Sequence, residues 1–378
     1  MSYLSQLKIG HFRCYEKAVL DGLSSGLIVL YGANGAGKTN VLEAVSMLSP
    51  GRGLRSAKTS DLQRRESNSA WGVYGVCETR AGPVKLGTGY EALKDKRVIR
   101  INGADAKSQN ALSDFIACIW LTPQMDRLFI EGAGTRRRFF DRLVFAFDAG
   151  HAGRVARYEN AMRQRSKLLQ EGGADPAWIK SLELQMAETG IAIVAARLDF
   201  TVKLAQSCDK VDEAEEAFFP KAKIIIQGTI EELLQKLPAI EVEEMFAYQL
   251  EQSRARDCRA GGAATGPHKS DMAVTYIAKN MPAAHCSTGE QKALLITIII
   301  AHGRLMAAER GAAPILLLDE VAAHLDEARR AALFDILIAL GGQVWMTGTD
   351  VSLFDSIAQK AQFFKVDSAT VEPMENIS

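Results

Sequence analysis

Gly32-Ala33-Asn34-Gly35-Ala36-Gly37-Lys38-Thr39 satisfies G-x-x-x-x-G-K-[ST] at every fixed position. Glycines in such a loop let successive backbone N–H groups curl around phosphate oxygens without Cβ clashes. The lysine reaches the outer phosphates and the hydroxyl coordinates Mg²⁺. The flanks decide the fold. Leu27-Ile28-Val29-Leu30-Tyr31 is a short apolar run of buried-strand type. After the lysine, Val41, Leu42, Val45 and Leu48 share one helical face, and Ser49-Pro50-Gly51 breaks the helix. Strand, glycine loop and helix together aim a helix N-terminus at an anion. The stretch therefore predicts a nucleoside triphosphate site in an α/β fold, with Gly32, Ala33, Asn34, Gly35, Ala36, Gly37, Lys38, Thr39 and Asn40 as candidate cofactor-binding residues.

A second half of that site is written far downstream. Pro314-Ile315-Leu316-Leu317-Leu318-Asp319-Glu320 is an aliphatic strand ending in two acids. A carboxylate at the end of a buried strand beside a phosphate loop holds Mg²⁺, and the next one polarises the attacking water. Asp319 is thus predicted to join Thr39 as a metal ligand, with Glu320 as catalytic base beside Lys38. Upstream, Ser287-Thr288-Gly289-Glu290-Gln291-Lys292 opens a long apolar helix. Two readings stand there: a hydroxyl and bare N–H groups offered to an anion, or a capping box with Glu290 at N3.

The 378 residues suggest two to three domains, and 47% hydrophobic with 24% charged residues is ordinary for a globular chain. Lys+Arg and Asp+Glu both number 45, so nucleic-acid binding would need a local basic patch. Six scattered cysteines without a C-x-x-C pair argue against a zinc site or a disulfide framework and fit a reducing cytosol. The first residues lack a signal-peptide apolar region, and the apolar run 293–301 is too short to span a membrane. A cytoplasmic protein without a membrane partner is expected.

Residues 4–9 read as a strand. Arg13 follows, either lying against the nucleotide or decorating an edge strand. Arg52, Arg55, Lys58, Arg64 and Arg65 form a basic stretch that suits either nucleic acid or solvent. Residues 70–102 alternate in short runs, predicting an antiparallel subsheet. Residues 116–121 read as a buried strand ending at Thr122-Pro123-Gln124, where Gln124 can contact metal or water. Helical stretches 136–171 and 178–216 predict a hairpin, with Arg154, Arg157, Arg163, Arg165 and Lys167 as either a salt-laced face or a DNA track. A strand at 221–226 and a helical segment at 230–256 follow. A glycine-rich loop at 260–267 then returns the chain to the head.

This order of motifs resembles the ATP-binding-cassette ATPases, and interruption of the cassette by a helical insertion resembles their SMC-like DNA-repair branch. Within that branch the chain resembles the RecF family of bacterial recombination mediators. The resemblance rests on Phe12-Arg13-Cys14-Tyr15, the loop through Glu43, Gly51-Arg52-Gly53-Leu54-Arg55 and Arg136-Arg137-Arg138-Phe139-Phe140-Asp141. It continues through Gly266-Pro267-His268-Lys269-Ser270-Asp271, Ser287 to Lys292, and Leu316 to Asp326. It implies an α/β ABC/SMC-type ATPase head, a P-loop parallel sheet plus an antiparallel β subdomain, with an inserted α-helical arm. The parts would be 1–130, the arm at 131–258, and 259–378.

The resemblance also implies ATP and Mg²⁺ as cofactors and slow hydrolysis. Ser287 and Gly289 would act in trans within an ATP-dependent homodimer, Asp326 would shape the dimer seam, and Gln124 would take the metal-sensing place. The implied partners are gapped or junction DNA, RecR with RecO, and RecA. Two departures stand out. Glu290 replaces the usual signature glutamine, and the histidine common after the last strand is absent, with Thr347 and Thr349 nearby. Rival readings are the ATPase subunit of a membrane transporter and a P-loop small-molecule kinase.

Overall fold

Alternating burial from Tyr3 onward builds a strand pair with one dry face, β1 (Tyr3–Phe12) and β2 (Tyr15–Asp21). Their Arg13-Cys14 turn holds Arg13 at φ 55°. That left-handed backbone costs a residue with a Cβ ~1–2 kcal/mol, and the Arg13 N–H bond to the Leu62 carbonyl, 2.8 Å, helps hold it. β3 (Leu27–Tyr31) leads into α1 (Lys38–Ser46). β4 (Gly72–Thr79), β5 (Gly82–Glu91), β6 (Lys96–Ile101) and β7 (Ala104–Asp105) complete an antiparallel sheet in the order β2-β1-β4-β5-β6-β7. The computed structural model describes residues 2–374 except 66, 68, 92–94, 173–174 and 211–212.

The remaining elements follow in order: β8 (Cys118–Leu121), α2 (Ala133–Phe145), α3 (His151–Glu171), α4 (Pro176–Asp209), α5 (Glu213–Glu216) and β9 (Ala222–Gln227). Next come α6 (Thr229–Leu234), α7 (Ala239–Gln252), α8 (Arg254–Ala260), β10 (Asp271–Tyr276), β11 (Met281–Pro282) and α9 (Thr288–Arg310). β12 (Ile315–Leu318), α10 (Glu327–Leu340), β13 (Val344–Gly348), β14 (Ala361–Asp367) and β15 (Thr370–Pro373) close the chain.

These elements fall into two units. The first takes Met1–Asp126, Asp212–Phe219 and Leu295–Ser378; the second takes Arg127–Val211 and Pro220–Leu294. In the first, a second sheet runs β15-β14-β3-β13-β12-β8. The five strands from β14 to β8 are parallel and β15 is an antiparallel edge. The apolar runs of β3 and β12 follow from burial on both faces. Toward one face, Ile28, Leu30, Leu317 and Trp345 share a core with α1 and the dry side of the antiparallel sheet. Toward the other, Ile296, Ile299 and Ile300 of α9 surround a small void with Leu316, Leu318, Leu333 and Leu337. α9, at 23 residues, is long and apolar enough to cross a membrane, but 78% of its most apolar window is buried, so it is a core helix. Gln343, fully buried, stitches the sheets together. Its carboxamide accepts from Leu4 N–H at 3.1 Å and donates to the Leu4 and Ser24 carbonyls at 2.8 and 2.7 Å.

The second unit centres on the hairpin of α3 and the 34-residue α4, packed with α6 and α7 around Tyr158, Met186, Val194 and Phe246. Two expectations are corrected here. The helix read over 136–171 is broken at 146–150, where the Asp148 carboxylate accepts from Gly150 N–H, so α2 and α3 are separate. The segment read over 230–256 is three helices: Pro238, which cannot continue a helix, divides α6 from α7, and Ser253 divides α7 from α8. The expected return to the head at 259 also shifts. β10 pairs antiparallel with β9 from Asp271↔Gln227 to Tyr276↔Ala222, so residues 259–294 stay with the second unit.

Candidate functional site

The loop joining β3 to α1 is shaped by its glycines. Gly32, Gly35 and Gly37 sit at φ 152°, 81° and 118°, which side-chain-bearing residues rarely adopt. A Cβ on Gly32 would also collide with the Val366 carbonyl oxygen, and one on Gly37 would lie 2.7 Å from the Tyr15 hydroxyl. That hydroxyl donates to the Gly37 carbonyl at 3.2 Å, so buried Tyr15 braces the loop. Ala33, Asn34 and Gly35 remain exposed at the loop's mouth.

Lys38 folds back across the loop, Nζ donating to the Gly32 and Ala33 carbonyls at 2.6 and 2.9 Å. Burial pulls its ammonium below the ordinary lysine range, against the pull of Glu320 and Asp319. Beside it, β12 delivers Asp319, whose N–H donates to the Leu121 carbonyl of β8 at 2.9 Å. The Thr39 hydroxyl lies 3.0 and 3.1 Å from the two Asp319 oxygens, and Thr347 Oγ1 donates to Asp319 Oδ1 at 2.8 Å. Burial pushes the Asp319 carboxyl up, with the two hydroxyls and the more distant Arg55 opposing and Glu320 reinforcing the rise. Glu320 follows at φ 54°, its N–H donating to Thr347 Oγ1 at 2.8 Å. A strained backbone at this position is the kind that clusters at working sites.

Arg13 is committed to the protein. Its guanidinium forks onto Glu43 at 2.8 and 2.7 Å and donates to the Asp61 carbonyl at 2.9 Å. Glu43 is fully buried, and Arg55 reaches it at 3.1 Å while bonding Asn40 Oδ1 at 2.8 Å. A cavity of about 930 Å³ opens next to Asn40, lined by Arg13, Cys14, Asp61, Arg64 and Arg65. Gln124 lies exposed in the short 3₁₀ turn after β8. Asp326 caps α10, its Oδ1 accepting from Arg329 N–H at 2.8 Å.

Ser287 and Gly289 belong to the second unit and are exposed. There the capping box forms. Glu290 Oε2 accepts from Ser287 N–H and Oγ at 2.8 and 2.9 Å, and the Lys279 contact with these bonds holds its carboxyl down at about 2. The motif stretches from Arg136 and from Gly266 bind each other. Arg136 forks onto Asp271, Arg137 donates to the Ser270 carbonyl, and Arg197 joins Asp141 to the Pro267 carbonyl. On α3, Arg165 is buried between Glu183 and Asp257, and Arg163 and Lys167 each pair with a glutamate one turn away, Glu159 and Glu171, so these three are engaged within the helices. Thr347, Glu43 and Tyr15 escaped sequence reading as site supports. Glu43 alone carried a signal, an acid set among the apolar residues of α1.

Comparison with known proteins accords with this geometry. The RecF/RecN/SMC N-terminal domain family model matches residues 3–371. The DNA replication and repair protein RecF of Mesorhizobium japonicum is 46% identical over 377 residues, covering 99% of each chain. That of Allorhizobium ampelinum is 47% identical, covering 97% of each. Among solved structures, the recombination mediator protein RecF-ATP in the RecFOR pathway superposes at a TM-score of 0.85 with 24% identity, covering 99% and 98% of the two chains. An SMC head bound to the C-terminal winged-helix domain of ScpA gives 0.56 with 15% identity, covering 100% and 98%. These two likenesses speak to fold alone. A match across nearly the whole chain, joined to full-length relatives above 45% identity, places this protein in the RecF family of DNA replication and repair proteins, within the SMC-like ATPases.

Proposed function

We propose that the chain is an ATP-dependent, DNA-binding recombination mediator. ATP joins two copies head to head into a clamp on DNA at single-strand gaps or junctions, hydrolysis opens it, and with RecR and RecO it helps load RecA. One observation carries the reading: Lys38, Thr39, Asp319 and Glu320, which are 282 positions apart at the extremes by their numbering, converge on one glycine loop. In this reading Lys38 exchanges the Gly32 and Ala33 carbonyls for phosphate oxygens. Glu320 takes the proton of the attacking water, and ATP becomes ADP and phosphate. Gln124 orients near the metal, and Asp326 shapes the seam.

Mg²⁺ fits the donors present. A hydroxyl and a buried carboxylate converge, and Mg²⁺ is commonly held by one or two protein oxygens, with waters and phosphates completing its shell. Bound there, it would neutralise phosphate charge; Thr39 and Asp319 would hold it, and Thr347 would keep Asp319 aimed. Exposure of Ser287 and Gly289 supports their meeting the nucleotide of a second copy. Because each nucleotide would then bridge two chains, dimer affinity rises with occupancy.

Light scattering with and without Mg-ATP and duplex DNA tests the reading. The expected result is a monomer that becomes a DNA-retaining dimer only with ATP. A monomer indifferent to both overturns the clamp and returns the loop to a small-molecule kinase or a transporter subunit.

A further inference from the structure

The solvent side of the antiparallel sheet is a broad cavity of about 880 Å³. Strand register places its residues in rows. Lys17 of β2 faces Gly10 of β1, Gly10 faces Gly72 of β4, and Gly72 faces Gly89 of β5. The adjacent row reads Val19, Lys8, Tyr74, Gly87 and Arg100 across β2, β1, β4, β5 and β6. Over the central strands the floor therefore presents backbone at Gly10, Gly72, Gly87 and Gly89, interrupted by Tyr74 and flanked by Lys8, Lys17, Lys85 and Arg100, these four cations all exposed. Among the described residues two carboxylates line the same cavity, Glu91 and Asp105, and Asp105 pairs with Arg100 at 2.9 Å.

The fold does not ask for most of those glycines. Gly10, Gly72 and Gly87 have no positive φ, and a Cβ on each would meet its nearest atom at 3.9, 4.0 and 3.8 Å, ordinary contact distances. Gly89 differs, since a Cβ there would lie 2.9 Å from the Trp71 carbonyl oxygen. Glycine inside an element costs ~0.5–1 kcal/mol relative to alanine. A bare strand surface that sterics do not require marks a place where a ligand or another backbone approaches closely.

We propose that this bare, cation-rimmed sheet face is where the phosphodiester backbone of duplex DNA docks. The proposal rests on the mediator reading and adds the surface. Charge complementarity selects the occupant: four cations against two carboxylates, in a chain whose overall charge is zero. Five strands at ~4.8 Å spacing span ~19 Å, room for several phosphates at ~3.4 Å rise per strand. Unpaired bases would need aromatic platforms, which this face does not offer freely. Tyr74 lies beneath the Lys8 ammonium at 5.6 Å, and the Tyr90 hydroxyl is bound to Asp95 at 2.7 Å.

The test measures fluorescence anisotropy of a labelled duplex with ATP across a salt series, for the full chain and two variants. K8Q/K17Q/K85Q should flatten the log affinity against log salt slope by ~2–3, at ~0.9 per lost phosphate contact. G10T/G72T fills the trough and should weaken binding at least ~10-fold at one salt, with an unchanged or higher urea midpoint. Should that variant unfold early, the lysine variant decides, because its three positions are exposed. Wild-type binding that both variants retain, with ATP dimerisation intact, overturns the face alone. A wild-type chain that ignores DNA overturns the face together with the mediator reading.

Discussion

Thr347→Val separates shape from function at the centre of the site. Thr347 Oγ1 donates to Asp319 Oδ1 and accepts from Glu320 N–H, both at 2.8 Å. Valine keeps the volume and loses both roles. A hydrogen bond to a charged group contributes ~1.5–3 kcal/mol, and a stranded buried N–H costs ~1–3 kcal/mol. Overlap between these terms leaves an expected loss of ~2–4 kcal/mol in the stability of the first unit. The catalytic effect has a separate origin. Glu320 is held at φ 54° in part by that bond, and such strain amounts to ~1–3 kcal/mol. Released, the backbone relaxes and carries the carboxylate off its aim. A positioning loss of ~2 kcal/mol is ~30-fold in kcat. ATP affinity should change little, since Lys38 and the loop N–H groups are untouched. Steady-state phosphate release with Mg-ATP and DNA, urea midpoints and fluorescent-nucleotide binding measure the three effects. Thr347→Ser restores the hydroxyl and should recover most of the rate. A Thr347→Val chain hydrolysing within twofold of wild type would refute the assignment of Thr347 as the support of Glu320.

Two further substitutions probe charge. Asp319→Asn bears on pH: burial raises this carboxyl above its ordinary 3.8, so its contribution to stability is full below 3.8 and is lost as pH rises through the folded value. The nucleotide-free variant should therefore be more stable than wild type at pH 7, by a margin that vanishes toward pH 3.8, while losing any stabilisation by Mg-ATP. Lower stability than wild type at pH 7 would contradict the burial argument. Arg165→Met strands the buried carboxylates of Glu183 and Asp257, which the guanidinium meets at 2.9 Å each. Breaking such a pair from one side costs ~3–5 kcal/mol, read as an early urea transition of helical signal, and a shift below ~1 kcal/mol would show that Arg254, which also forks onto Glu183 at 2.9 and 2.5 Å, satisfies Glu183 alone.

The parts legible in the sequence were those with a local signature. A glycine loop, a four-aliphatic strand and an alternating strand each state their geometry within ten residues, which is why β3, α1, β12, β1 and the antiparallel run from β4 to β6 could be drawn beforehand. Breaks that depend on a single residue's backbone were less legible. Pro238 and the Asp148-Gly150 turn divide segments whose periodicity alone runs on. The boundary near 259 was missed for a different reason: a strand's partner lies outside any window. Only the β9–β10 register shows which unit residues 259–294 join.

Charges were least legible, because a side chain's partner is chosen in three dimensions. Arg13 could be read toward a nucleotide or toward solvent, and its guanidinium forks onto Glu43. Glu43, buried in the apolar α1 beside it, required a cation, and Arg13 and Arg55 both supply one. The same logic runs through the site. Asp319 is buried with hydroxyl partners at hydrogen-bond distance and without a guanidinium fork such as Glu43 has. Two buried acids, each within reach of the same helix, thus differ in kind. One is neutralised by the protein and fixes α1. The other meets hydroxyls in place of a guanidinium while burial pushes its carboxyl up, and a divalent cation arriving with a phosphate is the partner that would complete it.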